Sequence, residues 1–509
     1  METKKVTLTI LPHNTVITID AGVSIADALL ECGIVINTPC GGKGICKKCA
    51  LKATGELSQP DNFEKSLGDS NRRLACRAII EGNVTVLADS IREYIHYPLL
   101  DPTHTYGVAV DIGATTLQIA FVDLTTGTVH PEITLLNPQR RFGHDVITRI
   151  SNAGNPKIAQ KLTQLLTDTI ISLIATTCKL SQTDFNNIKA IAISGNSVMS
   201  YSFLGIDITP LGTYPYSAPI TTFDEYSNYR PFKNIFPKSS VYVLPVVSAF
   251  LGGDFLGGFA TIYTKGYNSF FFDIGTNGEM AIIKTDGSII ATSCAMGPAL
   301  EGMNISSGMT ATQGAITHFM LQDSTLTYTS LGTPTGLSGT ALVDIIAILL
   351  QVGIIDSNGV IKNAIPEKFK GQVSLEYTNG IKALKLLNCI TLTQIDIRNV
   401  QLAKAASLAA SRILLKEAGL TEPDINTVYI AGAFGKNVDI NNFTRLSFIP
   451  HFTNAHYNAI GNTSLMAAIE AIRNEKFIQS LATMKNNITT IDLSSHHEFN
   501  DVYLKSLNF

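Results

Sequence analysis

From Lys4 to Ile10 polar and apolar residues alternate with a period of two, and the alternation resumes after His13-Asn14, which predicts strands at Val6 to Leu11 and Thr15 to Asp20. Ser24 with Asp27 three residues on opens a helix that Gly33 closes. A Gly-rich loop, a strand from Lys48 to Ala53, polar loops and a last strand near Val84 to Ala88 complete a small sheet wrapping one helix. Asp89 to Tyr106, with Pro98 and Pro102, follows neither period and reads as a linker. From Gly107 onward β-rich and amphipathic α segments alternate, with Gly and Ser at the junctions, the pattern of a layered α/β domain. The most apolar stretch, Thr340 to Ile355, carries Asp344 and Gln351 and is shorter than the roughly 20 apolar residues of a membrane span, so it reads as a buried helix.

One pattern occurs twice. Gly107-Val-Ala-Val-Asp111-Ile-Gly113-Ala-Thr115-Thr116 and Phe270-Phe-Phe-Asp273-Ile-Gly275-Thr276-Asn277-Gly278 each run apolar strand, Asp-Ile-Gly, small polar turn, second strand. Two similar halves are expected, near 107–250 and 251–509, the second carrying extra helices at Gly339 to Leu350 and Val400 to Leu414. Ser194-Gly195-Asn196 reads as a strand-end turn of the first half, with Gly461-Asn462 as its counterpart in the second.

Composition narrows the classes. The chain has 509 residues, 45% hydrophobic and 16% charged, too little charge for a disordered tail or a coiled coil. A formal charge of −3 gives no global field toward nucleic acid or an anionic membrane. The N-terminus lacks the apolar run of a signal peptide, so a cytoplasmic protein is expected, and its eight cysteines suit a metal or catalysis better than a disulfide framework.

Five of those cysteines fall in the first 80 residues. Cys40-Gly-Gly-Lys-Gly-Ile-Cys46-Lys-Lys-Cys49 places three thiolates on one loop, and Cys76 supplies a fourth from a distant strand. The glycines let the backbone fold round an inorganic core and aim N–H groups at its sulfurs, and iron is favoured because only Cys46 and Cys49 form a Cys-x-x-Cys knuckle where zinc more often shows two. Zinc and buried inert thiols remain as alternatives, and Cys32 reads as core. Lys43, Lys47, Lys48, Arg72, Arg73 and Arg77 crowd the cysteines, while Asp61, Glu64 and Asp69 lie close. Either a positive rim suited to an acidic docking partner or a solvated mixed-charge surface follows.

A strand ending in Asp-x-Gly-x-Thr holds a carboxylate at its tip while turn N–H groups and hydroxyls face outward. With the halves packed across a cleft, Asp111 and Asp273 would hold a hydrated magnesium ion, and Thr115, Thr116, Thr276 and Asn277 would donate to phosphates from turns completed by Gly113, Gly275 and Gly278. Val428-Tyr-Ile-Ala-Gly432-Ala-Phe-Gly435 ends a strand with two glycines, Gly432 and Gly435, allowing backbone to approach adenine or ribose, or simply making a tight turn. Either Asp254 or Glu301 could orient the attacking water, and Asp254 is taken as the catalytic carboxylate beside Asp111 and Asp273. Lys404 reads as a solvated helix lysine or a nucleotide contact, His144 as surface or capping, and Cys294 and Cys389 as core.

The cysteine spacing resembles that of the adrenodoxin-like 2Fe-2S ferredoxins, a β-grasp fold, over residues 1–92, with 93–106 as linker. The elements from 107–509 together resemble the nucleotide site of the acetate and sugar kinase, Hsp70 and actin (ASKHA) superfamily. The combination resembles the reductive activators of corrinoid enzymes, through Asn137-Pro-Gln-Arg-Arg-Phe-Gly143-His-Asp145-Val-Ile-Thr-Arg149, Gly252-Gly-Asp254, Gly297-Pro-Ala-Leu-Glu301-Gly302, Ile395-Asp396-Ile-Arg398-Asn399 and Ala431-Gly-Ala-Phe-Gly435. That resemblance implies an α/β protein with a β-grasp domain followed by a two-lobed ASKHA domain. Its cofactors would be a 2Fe-2S cluster on Cys40, Cys46, Cys49 and Cys76, ATP and Mg2+. Its activity would be ATP-dependent one-electron reduction of cob(II)alamin to cob(I)alamin on a corrinoid protein or corrinoid-dependent methyltransferase. An external electron-donor protein is expected, since no flavin or nicotinamide fingerprint is evident, and so is a homodimer through the ASKHA part. Some members of that family carry a middle domain between ferredoxin and ATPase, for which the short linker here leaves no room. The alternatives are an ATP-driven electron donor to another low-potential enzyme, a small-molecule kinase with an appended ferredoxin, and a nucleotide-binding redox sensor without turnover.

Overall fold

The computed structural model describes the chain except residues 1–3, 13, 32–33, 35, 37–43, 45–46, 48, 70, 88–94, 144, 225–228, 265, 324 and 388–389. It divides into two compact units, Met1–Leu244 with Ala471–Glu475 and Pro245–Glu470 with Lys476–Phe509.

The first unit opens with strands β1 (Lys5–Leu11), β2 (Thr15–Asp20), β3 (Ala50–Leu57), β4 (Arg72–Leu74) and β5 (Ile80–Leu87), in the order β2-β1-β5-β3-β4. β1 and β5 run parallel and the other pairs antiparallel. Alternation in β1 buries Val6, Leu8 and Ile10 against Ile25, Ala28 and Leu29 of the helix Ile25–Glu31, the β-grasp arrangement. Ser24 and Asp27 cap that helix as expected, the Asp27 amide donating to Ser24 Oγ at 3.1 Å. The sequence pattern misses β4, where two arginines disguise a strand. Arg73 is buried and donates to both carboxylate oxygens of Glu64 at 2.8 and 3.1 Å, and Glu64 also accepts from the Leu74 amide at 3.1 Å.

A second sheet follows, of β6 (Tyr106–Ile112), β7 (Thr116–Asp123), β8 (Ile133–Leu136), β9 (Ile188–Gly195) and β10 (Ser240–Val243). Its order is β10-β9-β6-β7-β8, parallel from β10 to β6 and antiparallel from β6 to β8. The helix Pro156–Leu180 connects β8 to β9 and buries Leu162, Leu166, Ile170 and Ile174. Residues 95–105, in the predicted linker, form no regular element but are tied down within this unit. The Leu100 amide donates to Ser181 Oγ at 2.9 Å, and Asn187 Nδ2 to the Pro102 carbonyl at 3.0 Å.

The second unit holds β11 (Ser269–Ile274), β12 (Asn277–Ile283) and β13 (Ile289–Ala295). Two three-stranded sheets follow, one of β14 (Ala315–Gln322), β15 (Thr325–Ser330) and β16 (Gly336–Leu337), the other of β17 (Val373–Thr378), β18 (Ile381–Leu386) and β19 (Ile390–Thr393). β20 (Thr427–Ala431), β21 (His456–Gly461) and β22 (Ile488–Ile491) then complete the main sheet, in the order β21-β20-β11-β12-β13-β22. Helix Gly339–Gln351 is the apolar stretch, buried on nearly every side. Helix Gln394–Ala418 extends beyond its predicted bounds because Thr393 and Asp396 form a capping box ahead of its apolar stripe. Among the described residues no helix is long and apolar enough to cross a membrane.

The repeat is therefore topological as well as textual. β8-β7-β6-β9-β10 and β13-β12-β11-β20-β21 follow the same order with the same parallel and antiparallel pairs. This corrects one expectation. β9 pairs with β6 as β20 pairs with β11, so the counterpart of the turn at Gly195 is Ala431-Gly432, and Gly461 corresponds to the end of β10.

Candidate functional site

Residues 27 apart become neighbours at the cysteine site through strand register. β3 pairs with β4 as Ala50 with Leu74, and the Ala75 amide donates to the Cys49 carbonyl at 3.0 Å. Cys49 Sγ thereby lies 3.2 Å from Cys76 Sγ, the first buried and the second partly exposed. Two thiols this close at the edge of a packed core fit two ligands of one iron centre. Cys40 and Cys46 lie outside the described residues, as do Cys32, Lys43, Lys48, His144 and Cys389. Among the described residues no group of three or more His, Cys, Asp or Glu is placed to hold a metal.

Among the described residues the three arginines of the expected positive rim all have partners. Arg73 is spent on Glu64, Arg72 donates to the Ala50 carbonyl at 3.1 Å, and Arg77 meets Asp61 at 2.7 Å. The hydrogen bond to Asp61 raises the Arg77 pKa. Burial alone would raise the Asp61 carboxyl, but the Glu64 amide and the Arg77 guanidinium bring it below its ordinary value. The described part of this surface is a mixed-charge one.

Asp111, near the end of β6, is paired in register with Gln118 on β7 and Ser194 on β9. The turn from Gly113 to Thr116 is tight, and a Cβ on Gly113 would stand 2.8 Å from the Thr116 carbonyl oxygen. Asp273 sits likewise on β11, between Glu279 on β12 and Ala431 on β20. The Gly275 amide donates to the Asn277 carbonyl at 3.0 Å, Asn277 and Gly278 pair with Ala295 and Cys294, and Thr276 Oγ1 donates to Glu301. Gly432 has φ +91°, and a Cβ there would lie 2.5 Å from the Ile274 carbonyl oxygen and 2.9 Å from Asp273 Oδ1. Only glycine fits beside that carboxylate. A Cβ on Gly435 would stand 2.9 Å from Ile430 Cγ2.

Sequence reasoning missed Glu279. Burial, with the charges of Asp254 and Asp273, pushes its pKa well above the usual carboxylate range, so three acids share one neighbourhood. The readable signal was register, since a hairpin closed at Ile274 and Gly278 sets the next residues, Asp273 and Glu279, opposite each other. Asp254 lies in the first turn of the helix Gly253–Ile262, with the Phe255 amide donating to Oδ1 at 2.7 Å.

Other candidates are structural. Lys404 is neither solvated nor a nucleotide contact, because it is buried and donates to the Asn508 carbonyl, burial and Arg412 lowering its pKa to about 8. Asp396 of the family word is likewise buried, while Ile395 and Arg398 beside it are exposed. Asp396 accepts from the Ser306 and Thr393 amides, both at 2.8 Å, and Asn399 donates to the Asn304 carbonyl at 2.8 Å. Burial raises the pKa of the Cys294 thiol and pushes Cys178 up to about 11, as expected of inert core thiols.

Comparison with known proteins adds the family. The model for the RACo middle region matches residues 106–265, and the model for the C-terminal domain of RACo, the ASKHA domain, matches 267–509. The chain is 27% identical to the corrinoid activation enzyme RamQ of Eubacterium limosum over 95% of its own length and 96% of that protein's. It is 26% identical to the [Co(II) methylated amine-specific corrinoid protein] reductase of Methanosarcina barkeri, over 79% of this chain and 77% of that one. A solved reductive activator for a corrinoid, iron-sulfur protein superposes with a TM-score of 0.71 at 25% identity, over 99% of this chain and 98% of that one. The match at 106–265 covers the stretch that the sequence reading assigned to the first ATPase lobe. Carrying both family regions in order behind a ferredoxin-like sheet, the chain belongs to the RACo family, the reductive activators that its motifs resemble.

Proposed function

We propose that this protein uses ATP to reactivate a corrinoid protein or corrinoid-dependent methyltransferase by one-electron reduction of cob(II)alamin to cob(I)alamin. The observation that carries the reading is the pair of thiols 3.2 Å apart in turns flanking β3 and β4 of a β-grasp sheet, Cys76 lying just past the strand that was expected to carry it, on the same chain as two topologically equivalent Asp-Ile-Gly hairpins. Cys40, Cys46, Cys49 and Cys76 would hold a 2Fe-2S cluster, which when bound supplies single-electron transfer. Asp111 and Asp273 are assigned to Mg2+. Gly113, Thr115, Thr116, Gly275, Thr276, Asn277 and Gly278 are assigned to the phosphates, and Gly432 and Gly435 to adenine and ribose. Asp254 orients the attacking water. The partners are the corrinoid protein, an external electron donor and a second copy of the chain.

Energetics permit the coupling. A one-electron deficit of about 100–200 mV costs about 2–5 kcal/mol. Differential binding worth about 5.5 kcal/mol moves a two-state population from 1:99 to 99:1. ATP thus needs only to favour one conformer.

The test is to mix the anaerobically purified chain, a chemical reductant and a cob(II)alamin methyltransferase with and without ATP, and to follow the cob(I) absorption. Growth of that band only with ATP is expected. Equal growth without ATP rejects the coupling, and transfer of labelled phosphate to a small hydroxyl acceptor would favour a kinase.

A further inference from the structure

The stretch from Asn137 to Arg149 has no part in the assignments above, yet it holds the first hairpin's turn from behind. Asn137 caps the short helix Pro138–Phe142, its Oδ1 accepting from the Gln139 amide at 2.9 Å, while its Nδ2 donates to the Gly113 carbonyl at 2.7 Å. The Asn137 amide donates to the Thr115 carbonyl at 2.8 Å. Arg149, on the helix Val146–Ala153, is fully buried, and its guanidinium donates to the Gly143 carbonyl at 2.8 Å and to the Ala114 carbonyl.

Three successive carbonyls of the turn, those of Gly113, Ala114 and Thr115, are thus drawn toward one segment. A planar trans peptide sets the following N–H antiparallel to each carbonyl. Pulling the Gly113 and Ala114 carbonyls inward therefore turns the Ala114 and Thr115 N–H groups to the opposite face. Consecutive N–H groups on one face form a concavity for an anion, and a buried cation behind them deepens its positive potential. A guanidinium is costly to bury, so its position against the turn is a specific one.

We infer that Arg149 and Asn137 are positioning residues that preset the Ala114 and Thr115 amides to receive the phosphate chain of a nucleoside triphosphate. This rests on the assignment of the first hairpin to ATP. The test is calorimetric titration of the full chain with the Mg2+ salts of ATP and ADP and with adenosine, for the native protein, R149M, R149K and N137S. Serine still caps the short helix but cannot donate to Gly113 as the amide does, so N137S carries the test should R149M fail to fold. ATP affinity is expected to fall about tenfold in R149M and N137S, or about 1.4 kcal/mol. ADP should lose less and adenosine nothing. R149K should fall between native and R149M, because a single ammonium replaces a planar fork. A merely structural role would lower all three affinities together, and that result overturns the inference, as do unchanged affinities in folded variants. Native protein that binds no nucleotide overturns the ATP assignment itself, and this inference with it.

Discussion

Asp111 and Asp273 occupy equivalent positions in two sheets of the same strand order, but their surroundings have opposite chemistry. Across the strand from Asp111 stands Gln118, and the turn beyond is backed by the amide of Asn137 and the guanidinium of Arg149. Across from Asp273 stands Glu279, and Asp254 adds a third acid. The first turn spans the four residues between the paired Ile112 and Leu117, the second the three between Ile274 and Gly278. Donors gathered behind a turn suit an anion, whereas carboxylates gathered beside one suit a cation or a proton. Two sheets of one strand order thus differ in the side chains around their turns, and variants that exchange those surroundings test what the difference does.

The largest expected effect is at the glycines. G432A places a methyl group 2.5 Å from the Ile274 carbonyl oxygen at φ +91°, whereas G113A meets the Thr116 carbonyl oxygen at 2.8 Å. The first adds left-handed backbone strain to the clash, a penalty of about 1–3 kcal/mol on its own. G432A should lower the denaturation midpoint more than G113A, and a larger loss in G113A would break the contrast.

Next comes the pH dependence of the acids. Glu279 binds its proton more tightly folded than unfolded, so its contribution is fully present below the unfolded value of 4.5 and declines as pH rises through the raised folded pKa. Across that window E279Q should gain on the native protein by up to about 1.4 kcal/mol per pH unit, read from denaturant midpoints. In the first unit Asp123 behaves oppositely. Burial would raise its carboxyl, but hydrogen bonds from His104 and from Thr126 and Thr125 bring it down to about 2. Its contribution is present above the unfolded value of 3.8 and lost as pH falls toward 2, so D123N should lose its disadvantage in acid. Parallel slopes in the two variants would end the comparison. A smaller effect is expected from Q118E, which gives Asp111 the neighbour that Asp273 has. A like charge across the strand weakens anion binding, so ATP affinity should fall modestly, and a rise would show that the two turns do not differ in kind.

Much of this was legible in the chain. Period-two alternation located β1 and β2, and the repeated Asp-Ile-Gly pattern located β6 and β11, because buried central strands are continuous apolar runs ending in a turn. What escaped depends on pairs distant in sequence. β4 was hidden because Arg73 is charged in isolation and neutralised only by Glu64, and Glu279 because its neighbours come from another strand and from a helix. Lys404 was misread for the same reason, its partner Asn508 lying 104 residues away. At the cysteine site, spacing named four candidates, and strand register alone joins Cys49 to Cys76.

The smallest effect is expected at a buried acid paired with a histidine within the second unit. Asp344 is buried on the helix Gly339–Gln351, where it accepts from Asn442 Nδ2 at 2.8 Å and lies 2.9 Å from His318 Nδ1 on β14. The hydrogen bond to Asp344 raises the His318 pKa above 6.5, burial opposes it, and the charges of Asp344 and Asp439 add to it. The imidazolium's contribution is therefore present below the unfolded value of 6.5 and lost as pH rises through the raised folded one. Since the ring is a third exposed, solvent screens most of this attraction and the effect should be slight. H318Q keeps a donor for the carboxylate but cannot titrate, so its midpoint should lie below the native one under pH 6 and converge with it in alkali. Divergence toward alkali instead would mean that the neutral imidazole, and not its charged form, is what Asp344 holds.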